Sequence, residues 1–245
     1  MTLGPGEEDK VNLEEVMTRL ESMGSGQTQK IYRSHGLEGA AFGVKVGDMK
    51  KLLSPLKKDQ PLVRELYATG NADAMYLAAL AADAKTVSEE ELDGWAEAAR
   101  WYMVGEYAVA GLAAESSHGW KAGLRWIESE APHVAAAGWA TLGHWVSLRP
   151  DEDLDLGALR GLLDRVRQQL PEAPNRVRYT MNGFVMTVGC YVEALSAEAR
   201  AVGEALGKVR VDLGGTACKV PYAPQMIDKV VGMGRLGKKR KAARC

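Results

Sequence analysis

Apolar residues recur at helical spacing along almost the whole chain, while the alternation that marks strands is nearly absent. Val11, Leu13, Val16, Met17, Leu20 and Met23 fall near i, i+3 and i+4 positions, which on a helix make one apolar stripe. The same pattern repeats and predicts helices over 12–23, 26–34, 46–57, 61–69, 72–83, 88–100, 103–115, 118–129, 132–147, 156–169, 175–193, 196–207 and 223–232. Ser88-Glu-Glu-Glu91 reads as a capping box opening the helix towards Trp101, and Pro61 suits a first helical turn. Pro132, Pro150, Pro171 and Pro174 fall where the periodicity breaks.

Thirteen short helices joined by brief turns do not suit a four-helix bundle. They suit antiparallel pairs that bury a continuous core only by stacking. The expected fold is therefore all-α, an α-α superhelix of HEAT-like or armadillo-type pairs. With 245 residues and 46% hydrophobic content the chain can bury such a core as one domain. We expect a single repeat domain over 1–233 and a mobile basic tail over 234–245. Identity between units is too weak to fix a period. Ala135, Ala136, Ala137 and Gly138 predict a close helix–helix approach, and Met75, Met103, Met181 and Met186 read as core filler.

The formal net charge of −1 conceals segregation. Residues 219–245 carry eight Lys or Arg against one Asp, which leaves residues 1–218 at −8. Over 30–58, Lys30, Arg33, Lys45, Lys50, Lys51, Lys57 and Lys58 face only Glu38 and Asp48. Arg160, Arg165, Arg167, Arg176 and Arg178 form a third cluster. Such clusters on an acidic chain suit a polyanion, whose binding releases counterions, although solvated helix faces and a solvated tail explain them as well. No apolar run reaches the ~18 residues of a membrane span, and MTLGPGEEDK lacks the order of a secretory signal. We expect a cytoplasmic protein. Cys190, Cys218 and Cys245 lack paired C-x-x-C spacing and read as unpaired thiols; no metal or cofactor is expected.

All six tryptophans lie between Trp95 and Trp145, and this window carries part of a resemblance. Phe42-Gly-Val-Lys45-Val-Gly-Asp48-Met-Lys50-Lys51-Leu, Leu66-Tyr-Ala-Thr-Gly-Asn-Ala-Asp73-Ala-Met-Tyr76, Trp101-Tyr-Met-Val-Gly105-Glu106 and Tyr179-Thr-Met-Asn182-Gly183-Phe184 occur in order. Together they resemble the HEAT-like-repeat DNA alkylation repair family, the alkylpurine DNA glycosylases, from about residue 40 to 195. The resemblance implies a basic concave groove for duplex DNA and release of purines alkylated at N3 or N7. It also implies a tryptophan, an aspartate, an arginine and a second aromatic, the carboxylate stabilising an oxocarbenium-like sugar.

Those roles carry over unevenly. Trp101 stands at the tryptophan position, but Gly105 stands at the aspartate position. Glu106 is the substitute, displaced by one residue or about 100° on an α-helix unless the segment bends. No Arg or Lys occupies 133–145, where the arginine is expected and where His133, Trp139 and His144 stand instead. Phe184 takes the second aromatic position. The candidate catalytic residues are thus Trp101 and Glu106. The candidate DNA contacts are Lys45, Lys50, Lys51, Arg165, Arg167, Arg176, Arg178 and Phe184, with Lys238, Lys239 and Arg240 in the tail. Residues 209–222 read as a structured loop, whose Gly214-Gly215-Thr216 and Lys219 offer a phosphate contact. The expected partner is double-stranded DNA, damaged or branched, bound by a monomer without a membrane. A glycosylase, a non-catalytic relative that binds unusually shaped DNA, and a protein scaffold remain open.

Overall fold

The computed structural model describes residues 11–244, so MTLGPGEEDK and Cys245, read above for a signal and a thiol, lie outside the described residues. Among the described residues the regular structure is helical: α1 (Leu13–Met23), α2 (Gly26–Ser34), α3 (Val46–Met49), α4 (Leu53–Leu56), α5 (Gln60–Ala68), α6 (Ala72–Ala81), α7 (Glu89–Ala98), α8 (Ala110–Glu115), α9 (Gly119–Trp126), α10 (Pro132–Leu148), α11 (Leu156–Gln169), α12 (Asn175–Tyr191), α13 (Ser196–Leu206) and α14 (Ala223–Gly232). Neighbouring helices pack in sequence, α5 on α6, α9 on α10, α12 on α13, with α10 against α12 at the centre. No described helix is long and apolar enough to cross a membrane.

Helix α10 explains how one chain holds a continuous core. Its Val134 and Ala137 belong to the apolar cluster that runs back to Val16. Its Ala135, Ala136, Trp139 and Leu142 belong to the cluster that runs on to Ile227. A helix apolar on every side must be buried on every side, and α10 is the shared wall of two stacked cores. The expected close approach is present: a Cβ on Gly138 would stand 2.7 Å from the Ile127 backbone nitrogen, so only glycine admits α9 here.

The sequence motifs also have local causes. Asp73, buried at the start of α6, accepts backbone N–H bonds from Phe42 (2.6 Å), Gly43 (2.9 Å) and Val44 (3.1 Å). It thereby ties the first quoted motif to the second. Ser88 caps α7 by accepting from the Glu91 N–H at 3.0 Å, but Glu91 pairs with Arg64 at 2.8 Å rather than with the cap. The helix expected over 46–57 is broken into α3, a 3₁₀ turn at Lys50–Leu52, and α4. Pro55 has no N–H to continue the α ladder, and its ring crowds the carbonyl four residues back, so the preceding turn tightens.

The tail differs most from expectation. It lies along the ends of four helices rather than in solvent. Gly237 N–H reaches Cys190 O at 3.0 Å, and Arg240 N–H reaches Ser147 O at 2.8 Å. Lys239 Nζ donates to Tyr191 O (2.7 Å) and Val146 O (3.2 Å) and pairs with Asp151 at 2.7 Å. Arg244 then binds the Glu115 carboxylate through Nε (2.9 Å) and Nη2 (2.7 Å), and donates from Nη1 to Ala79 O (2.8 Å) and Ala82 O (2.7 Å). These are the C-terminal ends of α12, α10, α8 and α6. Helix C-termini present unpaired carbonyls and the negative end of the dipole, so a basic strand settles on them.

Candidate nucleic-acid interface

Between α7 and α8 the chain forms a π-helix, Met103–Val109, closed where Ala110 N–H reaches Gly105 O. A π turn takes up one residue more than an α turn, so side chains five apart share a face. Tyr102 and Tyr107 accordingly lie edge to face with ring centroids 6.2 Å apart. The turn from Trp101 itself is still α, Gly105 N–H reaching Trp101 O at 3.1 Å, so the register change begins just after it. Trp101 is 7% exposed and packs on Tyr32, and its Nε1 donates to His35 O at 3.1 Å. An aspartate at position 105 would begin with its Cβ 3.3 Å from the Ala99 carbonyl oxygen, a poor surrounding for a carboxylate.

Glu106 is 4% exposed. Arg176, from the first turn of α12, clasps it: Nε donates to Oε1 at 2.9 Å and Nη2 donates to Oε2. The guanidinium also lies over the rings of Tyr102 (4.1 Å) and Tyr179 (4.4 Å). Burial raises the Glu106 carboxyl above its ordinary range, and the Arg176 contacts oppose that rise. His144 lies below, its Nε2 3.3 Å from Glu106 O, and burial holds its pKa down to about 4. The guanidinium in the site thus comes from α12, not from 133–145.

Around this pair opens a cavity of about 550 Å³, where Trp101, Tyr102, Gly105 and Tyr107 meet Arg100, His35, His133, Arg176 and Tyr179. The N-termini of α10 and α12 open onto it, and neither has a side-chain cap. Asp212, Leu213, Gly214 and Cys218 supply one wall from the 209–222 loop. That loop is pinned by a reciprocal bond, Asn175 Nδ2 to Asp212 O and Asp212 N–H to Asn175 Oδ1, each 2.7 Å. Gly214, at φ +69°, fits so closely under α2 that a Cβ would stand 2.5 Å from Ser34 O. Thr216 turns inward to Leu213 O. A second cavity of about 230 Å³ shares Glu106, Tyr107 and Tyr179 with the first and continues between α10 and α12 to Arg240. A third, open recess of about 850 Å³ gathers Arg178, Lys208, Arg210 and Lys219.

The structure gathers only part of the expected site. Trp101, Glu106 and Arg176 meet in the large cavity, Arg178 faces the open recess, and Arg240 reaches the second cavity. Phe184 is corrected: it is 1% exposed and packs edge-on against Trp139 with centroids 5.3 Å apart, so it cannot stack on a nucleic acid. Arg165 is bound to Glu128, and Arg167 pairs with Asp164 at 3.1 Å. Lys239 is held by carbonyls and Asp151, while Lys238 is exposed. Lys45 and Lys50 are exposed and unenclosed, and exposed Lys51 pairs with Asp48 at 2.7 Å. Tyr102, Tyr107, Tyr179 and His35 were missed. Their signal was faint, a pair of tyrosines five apart beside Trp101, which α-helical periodicity does not put together.

Known proteins place this geometry. The family described as DNA alkylation repair enzyme matches residues 16–197. The uncharacterized protein Lin0241 of Listeria innocua serovar 6a is 32% identical over 225 residues, spanning 89% of this chain and 97% of that protein. The uncharacterized protein Lmo0209 of Listeria monocytogenes serovar 1/2a is 31% identical with the same coverage. A solved structure superposes with a TM-score of 0.88 at 34% identity, covering 96% of this chain and all of the other; it represents "a new family of proteins related to the HEAT-like repeat DNA glycosylases with affinity for branched DNA structures". With that fold shared from end to end and the family match spanning most of the described residues, this chain belongs to the DNA alkylation repair enzyme family.

Proposed function

We propose that this protein binds branched DNA through the cavity-bearing face and does not excise alkylated bases. The observation that carries the reading is the closed Glu106–Arg176 pair. A developing sugar cation is stabilised by an unneutralised carboxylate in a dry site. Here the nearest carboxylate faces a guanidinium that already cancels its charge, and Gly105 offers no other. The solved relative with affinity for branched DNA supports the partner. So do Arg178, Arg210 and Lys219, which share the open recess beside the cavity. With this reading goes a monomeric, cytoplasmic protein with DNA as its partner.

The test measures release of 7-methylguanine and 3-methyladenine from methylated duplex beside salt-dependent binding to forked, four-way and continuous DNA. We expect no release and tighter binding to the branched forms. Release that Glu106→Gln abolishes would restore the glycosylase reading, with the π turn having carried the carboxylate into the lost position. Neither release nor binding would leave a protein scaffold.

A further inference from the structure

Tyr107 is anomalous among the aromatic residues of the site. Trp101 is buried and hydrogen-bonded, and Tyr102 is engaged by His35 and Arg176. Tyr107 meets Tyr179 through its hydroxyl, yet it remains 42% exposed on the ridge between the two cavities and lines both. The π turn fixes it there, because only five-residue spacing sets it against Tyr102 at 6.2 Å. Arg176 and Tyr179 also line the larger cavity beside it.

From this ridge we infer that Tyr107 is a stacking wedge that recognises the branch point itself, an inference resting on the branched-DNA reading above. Its ring covers the last base pair of a duplex arm, and the larger cavity receives the first unpaired nucleotide of the departing strand. In continuous duplex each base pair is already covered on both faces, and exposing one costs unstacking energy. At a branch the terminal pair has lost one neighbour, so an aromatic ring gains a face without that cost. Stacking on a tyrosine is tolerant of sequence because every base offers a π face. The site therefore selects DNA shape rather than sequence. A cavity of about 550 Å³ lies within the size range of small-ligand sites.

The test compares wild type, Tyr107→Ala, Tyr107→Leu and Tyr107→Phe on a forked duplex and a continuous duplex of equal length at fixed salt. 2-Aminopurine is placed as the first unpaired nucleotide of the fork. Tyr107→Ala and Tyr107→Leu should lose about tenfold or more in affinity for the fork, the scale of one lost base–aromatic stack, and less than about twofold for continuous duplex. Tyr107→Phe should stay near wild type. Binding should change the 2-aminopurine fluorescence in wild type and Tyr107→Phe and leave it unchanged in the other two. Leucine retains apolar packing against Tyr102, so a folding failure confined to alanine leaves the comparison intact. The wedge is overturned if Tyr107→Leu keeps the wild-type fork preference, or if it loses fork and continuous duplex equally. Absence of fork preference in the wild type would instead overturn the branched-DNA reading beneath it.

Discussion

The cations of 45–51 and those of 239–244 are alike in the sequence and opposite in the structure. Lys45, Lys50 and Lys51 stand on a short broken helix with their side chains in solvent. Lys239 and Arg244 are folded onto the carbonyl ends of α6, α10 and α12 and onto Glu115 at the end of α8. Arg176 repeats the second fate inside the site. A basic run is available to a polyanion only if the fold has not already supplied acceptors, and helix C-termini are the commonest acceptors in a stacked helical protein. The difference teaches that charge clusters in such a chain divide into cations that hold the fold and cations left over to bind.

Breaking the pair that holds the most buried carboxylate should have the largest effect. Arg176→Leu leaves Glu106 as a buried carboxylate without its partner, and unfolding in denaturant should show a loss of about 3–5 kcal/mol. The double change Arg176→Leu with Glu106→Leu should recover most of it, since removing both partners removes the uncompensated charge. An unrecovered double variant would mean that the ring contacts with Tyr102 and Tyr179, not the pair, hold this junction.

His144 shows where the interior refuses a further cation. Burial, aided by nearby Arg240, holds its pKa down to about 4, whereas an unfolded histidine titrates near 6.5. Between these values the unfolded chain binds the additional proton, so stability must fall as pH is lowered from about 6.5 to about 4. The contribution lost over that window is about 3 kcal/mol. Melts of wild type and His144→Gln across this range should diverge, the variant showing the flatter dependence; parallel curves would exclude the buried neutral imidazole.

Arg244→Ala should cost about 2 kcal/mol, the scale of charge-assisted hydrogen bonds to Glu115 and the α6 carbonyls. The Glu115 carboxyl is raised by partial burial, but hydrogen bonds from Arg244 and Ala243, with the Arg244 charge, outweigh this and leave it below its ordinary value. Its contribution is therefore complete above the usual glutamate range and disappears as pH falls through the lowered value. Hydrogen exchange at the end of α6 would report release of the strand. Least affected in stability should be Lys45→Gln combined with Lys50→Gln: an unchanged melting temperature, with the salt slope of DNA binding falling by ~0.9 for each phosphate contact removed. A stability loss there, or an unchanged slope, would collapse the distinction between the two basic regions.

Much of the fold was legible because helical stripes and prolines are local signals. The boundaries of α14 and the start of α10 agree with the sequence reading, and the all-helical stacked architecture follows from element count. The site was legible only in pieces. Trp101 and Glu106 are named by a motif and line the cavity, while Tyr107 lies just past that motif and carries no signal of its own, because the π turn that places it has no periodic signature. Phe184 misled for the converse reason: motif position does not say which side of a helix faces the core.

By itself the sequence determined the helices, their order, the family to which they belong, and a glycine rather than a carboxylate at position 105. Those properties depend on residue type and short spacing. Only the tertiary structure decided that Glu106 is buried beside the cavity Trp101 lines, that Arg176 arrives from α12 to neutralise it, and that the basic tail closes over helix ends. Each of these joins residues about 40 to 170 positions apart, or depends on a one-residue change of helical register. Packing and the need to satisfy buried charge set them, and local pattern does not.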